Sequence, residues 1–131
     1  MTSDAGRGAP PTAKARGDAA EDRALAHLVA QGLVPVERNY RVARGPRARG
    51  GEVDLILKDR DGTLVFVEVR ARRDRAFGGA AASVGFAKQR RLVFAAQSYL
   101  RRFAVLPPCR FDVVSVEGDS VEWLKAAFDA G

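Results

Sequence analysis

Cysteine, histidine and lysine are scarce in this 131-residue chain, which has one Cys, one His and four Lys. The single Cys109 excludes an intramolecular disulfide and any zinc site built on several thiolates, and it fits a reducing cytoplasm. His27 has no second His or Cys at ligand spacing, so a structural or solvent-facing role is expected of it. No apolar run approaches the roughly 18 residues that a membrane-spanning helix needs. The first residues also lack the apolar core of a signal peptide. A cytoplasmic protein without membrane contact is expected.

What is present belongs to a folded domain: 47% of residues are hydrophobic and 29% charged. The length supports one core and is short for two. Basic residues number 22 against 16 acids, for a net charge of +6 and a pI near 10.2. That balance favours a polyanionic partner such as nucleic acid. Eighteen of the basic residues are Arg, a bias that a GC-rich genome also produces, so charge alone does not define the function.

The stretch Gly51 to Arg73 organises the rest. Glu52 to Lys58 and Thr63 to Ala71 read as strands, the second holding the continuous apolar run Leu64-Val65-Phe66-Val67. Asp59-Arg60-Asp61-Gly62 between them is a turn, with Gly62 free to take a left-handed conformation. A three-residue loop ending on Gly62 pairs Asp59 with Thr63. The same register sets Asp54 opposite Glu68 and Glu52 opposite Arg70. Val53, Leu55, Leu57, Val65, Val67 and Val69 then share one buried face. The other face carries Ile56, Leu64 and Phe66 before ending in acids.

Two carboxylates opposed at short range repel, and burial raises their pKa further. A divalent cation cancels that repulsion. Hard oxygen ligands suit Mg²⁺ or Mn²⁺, and such an ion can activate water for attack on a phosphodiester. The competing reading is a frayed strand end in water, with Glu52 and Arg70 as a surface ion pair.

Around the hairpin, residues 1–16 read as a disordered basic tail and 17–131 as one domain. A helix is expected over 17–31, capped by Asp18 and stopped at Gly32, with Leu25, Leu28 and Val29 on its apolar stripe. Glu21 sits in its first turn, where an acid also simply complements the helix dipole. A strand follows over 33–42, with Pro35 tolerable at an edge or strand start. Arg38, Arg41, Arg44, Arg47 and Arg49 fall within twelve residues that run into a Gly-Pro-rich loop, a basic run able to hold a phosphate backbone or to remain solvated charge.

Residues 72–85 read as a loop near the site, with Arg72 and Arg73 at its start and Phe77 either stacking on a base or anchoring the loop. The longest helix is expected over 86–103, with Leu92, Ala95, Ala96, Tyr99, Leu100 and Phe103 apolar. Lys88 lies on that same stripe. It either points to the sheet edge and a phosphate or snorkels to solvent. Strands over 109–116 and 121–124 and a terminal helical turn at 125–128 complete the chain, with an edge or capping role for Asp112.

GEVDLI, a short turn and LVFVEVRAR resemble the PD-(D/E)xK nuclease motif, and in particular the YraN family of predicted endonucleases related to archaeal Holliday-junction resolvases. Arg38-Asn39-Tyr40, Phe77-Gly78-Gly79, Lys88 to Leu92 and Arg110 to Val114 extend the likeness over nearly all of the chain after residue 17. The resemblance implies a restriction-endonuclease-like α/β fold, a mixed sheet of about five strands flanked by helices. It implies a metal-dependent endonuclease acting on DNA, branched or structured DNA included, with Mg²⁺ or Mn²⁺ as cofactor. It carries the metal and catalytic roles to Asp54 and Glu68, with Glu21 in support; Glu52 is a lesser candidate ligand. Arg70 occupies the position of the motif's Lys and keeps the charge, but as a planar group that cannot serve as a base. Lys88, Arg44, Arg47, Arg49, Arg72 and Arg73 are the candidate nucleic-acid contacts. The alternative is a binding module on the same scaffold whose cleavage was weakened or lost with that Lys. A homodimer, one copy per strand, is the other partnership considered.

Overall fold

The computed structural model describes residues 12–46, 49–71 and 84–130. Arg47, Arg72, Arg73, Phe77 and the chain up to residue 11 lie outside the described residues. The expected hairpin is its centre. Strand β2 (Gly51–Lys58) pairs antiparallel with β3 (Leu64–Ala71). The register follows the turn chemistry: Asp59 N–H donates to the Thr63 carbonyl at 2.9 Å, and Gly62 sits at φ 90°. Lys58 pairs with Leu64, Ile56 with Phe66 and Leu55 with Val67, as predicted.

Strand β1 (Val34–Val42) joins the free edge of β2, antiparallel, with Pro35 beside a bulge on the edge strand where its missing N–H does least harm. Helix α2 (Phe86–Leu100) carries the chain back over the sheet, so that β4 (Cys109–Glu117) runs parallel to β3; β5 (Ser120–Phe128) then turns back antiparallel. The sheet order is β1-β2-β3-β4-β5.

Helix α1 (Ala13–Ala30) begins four residues earlier than expected. Thr12, not Asp18, is its cap: Thr12 Oγ1 accepts the Ala15 N–H at 3.1 Å, while Asp18 is bonded by Lys14 one turn away. Residues 13–16 are therefore helical and not part of a tail. β5 also differs from expectation, since 125–128 continue the strand. A left-handed Ala126 (φ 50°) kinks it, and Phe128 stacks on Phe111 with centroids 5.2 Å apart. The buried Asp112 carboxylate fills the irregularity, accepting the Ala126 N–H, the Trp123 indole N–H and the Arg110 guanidinium. That confirms a structural role for Asp112. His27 is structural too, with its ring edge-on to Trp123.

Two cores follow. Ala20, Ala24 and Leu28 of α1 pack on Leu55, Leu57, Val65, Val67, Val114 and Val116. On the opposite face, Leu92, Ala95, Ala96 and Tyr99 of α2 pack on Ile56, Leu64, Phe66 and Phe111. Each fully buried aliphatic or aromatic side chain contributes about 1.5–3 kcal/mol.

Val53 breaks the expected alternation: it lies in the α2 core, not with Leu55 and Leu57. Its neighbour in β1 breaks it too. Arg38 reaches α1 and Tyr40 reaches Tyr99 and Ser98 of α2, although they are two residues apart. Between Arg38 and Tyr40 stands Asn39 at φ 56°, and between Val53 and Leu55 stands Asp54. Both strands change face at this one rung of the ladder.

Candidate functional site

Asp54 therefore sits where β2 reverses its faces. It also sits where β2 and β3 part, because their pairing ends at Leu55–Val67, one residue short of Asp54 and Glu68. The Val69 N–H donates to Asp54 Oδ2 at 2.8 Å instead of extending the ladder. The two acids meet in the opening, as the register predicted. Glu68 is 1% and Asp54 9% exposed. Burial, and after it the charge of Glu68, pushes the Asp54 carboxyl up to about 7; the Val69 N–H and Lys88 act in the other direction.

Two cations of the described residues gather on one oxygen. Lys88 Nζ lies 3.2 Å and Arg70 Nη1 3.7 Å from Glu68 Oε2. Glu68 Oε1 is buried and receives no hydrogen bond among the described residues. An ionised oxygen in that condition is costly unless a cation completes it. The donor set is hard oxygen, and Mg²⁺ is commonly held by one or two carboxylates with water and substrate phosphate in the remaining positions. Asp54 and Glu68 fit such an ion. Among the described residues no three His, Cys, Asp or Glu side chains converge on a single metal position, so Asp54 and Glu68 are the carboxylates there that could share an ion.

Glu21 approaches from the α1 side. Its carboxyl is raised by burial and then by the charge of Asp54, against the stabilising guanidinium of Arg38 and the Asn39 side chain. Arg38 is held in turn by Glu21 at 3.2 Å, Asp22 at 2.8 Å and the Asp18 carbonyl. Glu21 thus stands in electrostatic reach of Asp54 without joining the pair. Arg38, read as one of a run of arginines able to hold a phosphate backbone, is committed to α1 instead, and no role was expected of Asn39, although both stand in the Arg38-Asn39-Tyr40 strand that carried part of the resemblance.

Glu52 lies elsewhere. The Glu52–Arg70 ion pair of the competing reading does not form: Arg70 turns to Glu68, and Glu52 faces its β1 partner Arg41 at 3.6 Å. Half-exposed, Glu52 lines a groove of about 450 Å³ together with Lys88, Arg41, Arg44, Arg49 and Arg91. The structure thus brings Arg44, Arg49 and Lys88, three of the predicted nucleic-acid contacts, to one channel beside the acid pair.

A mixed sheet covered on each face by one helix is an α/β architecture of the restriction-endonuclease-like kind. Residues 20–116 match the model of the uncharacterised protein family UPF0102, which is the YraN family, and the chain belongs to it. A UPF0102 protein of Methylibium petroleiphilum is 67% identical over 119 residues, covering 91% of this chain and 98% of its own. One from an Acidovorax species is 64% identical, covering 91% and 88%, and one from Cupriavidus necator 60%, covering 87% and 82%. No helix among the described residues is long and apolar enough to cross a membrane.

Proposed function

We propose that the protein is a metal-dependent endonuclease acting on DNA. The observation that carries this reading is the buried Asp54–Glu68 pair, whose Glu68 Oε1 receives no hydrogen bond among the described residues. Hydrolysis joins a water oxygen to phosphorus and breaks one P–O bond to sugar, and the departing oxygen takes up a proton. Mg²⁺ or Mn²⁺ held by Asp54 and Glu68 would supply an acidified water and charge neutralisation at the phosphoryl oxygens. The Val69 N–H holds the Asp54 carboxylate in place, and Glu21 adds negative potential behind it. Lys88 and Arg70 face the same edge, where their charge stabilises the extra negative charge of the transition state. Lys88 reaches Glu68 from α2, and so supplies from another element the ammonium that the motif takes from the position of Arg70.

A second reading, binding without turnover, is favoured by Arg70, which keeps charge but cannot accept a proton. Incubation with linear, nicked and branched DNA, with and without Mg²⁺ or Mn²⁺, decides between them. The first reading expects metal-dependent cleavage that Asp54→Asn reduces at least ~100-fold. Salt-sensitive binding with no cleavage under any metal establishes the second.

A further inference from the structure

A cavity of about 610 Å³ runs along the outer side of α2, and neither Asp54 nor Glu68 lines it. Phe86, Arg90 and Phe94 follow at four-residue intervals, so they share one stripe of the helix, distinct from the buried stripe of Leu92, Ala96 and Tyr99. Phe86 is 73% exposed. The Arg44 guanidinium lies 4.9 Å from the Phe94 ring centre, and that of Arg90 lies 5.7 Å from Phe86. Among the described residues, packing gives no reason for an aromatic ring so open to water. Arg44, Arg49, Gly50 and Arg91 also line the groove that leads to Lys88. One continuous surface therefore runs from the acid pair, past a row of arginines, to two phenylalanines.

Fully paired DNA keeps the faces of its bases stacked inside and offers such a surface phosphates, sugars and base edges. Aromatic faces add affinity only where a base is unstacked, and they do so whatever its identity. We infer that this cavity is a stacking site for an unpaired nucleobase, with the arginines on the adjoining phosphates. The preferred substrate then carries single-stranded nucleotides next to the phosphate at the acid pair. The inference deepens the nuclease reading, because only that reading makes the Lys88 end of the groove the place of cleavage.

The test is binding by the full chain in EDTA, where no cleavage intervenes. Fluorescence anisotropy compares a labelled oligo-dT with a blunt duplex of equal length, and a 2-aminopurine oligonucleotide reports stacking directly. Wild type is expected to favour the single strand and to quench 2-aminopurine. Phe86→Ala, a surface change, is expected to weaken single-strand binding about ten-fold, equivalent to about 1.4 kcal/mol, and to abolish the quench. Duplex binding should change less than about two-fold, and Phe86→Trp should restore single-strand affinity. Equal effects on both DNAs, or none on either, overturn the stacking site even if metal-dependent cleavage is found. A Phe86-dependent single-strand preference with no cleavage under any metal upholds the site and overturns the nuclease reading.

Discussion

Asp54 is pulled two ways: the Val69 N–H favours its charge, while burial and Glu68 oppose it more strongly. A carboxyl that titrates near 7 when folded and near 3.8 otherwise holds its proton more tightly in the native state. Its contribution to stability is complete below pH 3.8 and is lost as pH rises through about 7. In EDTA, urea unfolding at pH 5 and pH 8 should show most of this loss, about 2–3 kcal/mol between the two. Asp54→Asn should flatten the profile, since its amide still accepts the Val69 N–H and can donate to Glu68. Millimolar Mg²⁺ should restore wild type at pH 8 and leave the variant unmoved. Lys88 is the other decisive side chain. Lys88→Met keeps the apolar stem and removes the charge, so cleavage should fall ~10- to 1000-fold, and the thermal midpoint should fall as well because buried Glu68 loses its nearest cation among the described residues. Unchanged cleavage and DNA affinity would exclude its role. Its turn to the sheet edge was one of two readings that the four-residue spacing to Leu92 allowed, whereas its contact with Glu68 and the contacts of Arg38 were not readable. The partners of Arg38, Glu21 and Asp22, lie on a helix whose docking angle no local pattern encodes.

At the scale of elements, the close seating of α2 on β2 depends on Gly51. A Cβ there would strike the Arg91 carbonyl and crowd Ala95, so Gly51→Ala should destabilise by about 1–3 kcal/mol. A methyl group at Gly17, inside α1, would meet nothing within 4 Å. Gly17→Ala should therefore stabilise by about 0.5–1 kcal/mol. Chemical denaturation of the two variants measures the contrast. The hairpin register was legible because one turn, Asp59 to Thr63, sets every rung after it. The face change of Val53 was not, because it falls at the same rung as a left-handed Asn39 on the neighbouring strand, which no pattern local to β2 shows. The strand at 125–128 was missed for a similar reason. Its continuation rests on Asp112 and Phe111, distant in sequence, and not on the helix-favouring Lys-Ala-Ala of its own residues.

For the molecule as a whole, a charge of +6 becomes functional only if it is concentrated. Arg44, Arg49, Arg91 and Lys88 line one groove beside the acids. Replacing Arg44, Arg49 and Arg91 together with Gln should weaken DNA binding at low salt. The slope of log affinity against log salt should become shallower by up to about 2.7, roughly 0.9 for each duplex phosphate that the protein no longer neutralises. Titrations between about 50 and 200 mM salt measure it; an unchanged slope would show that DNA does not lie in this groove.

Whatever depends on period, turn chemistry and short spacing was present in the chain itself. The two-residue rhythm and Gly62 bring Asp54 to Glu68, and a single long helix between β3 and β4 makes their pairing parallel. The acid pair is thus a local property of one ribbon. What surrounds it is not. Only the packed fold could send Glu52 to Arg41, bring Glu21 to Asp54 from one helix and Lys88 to Glu68 from the other, and leave Glu68 Oε1 without a donor among the described residues. Those outcomes depend on how two layers settle on the sheet, and burial and charge acquire their energies only once the layers have closed.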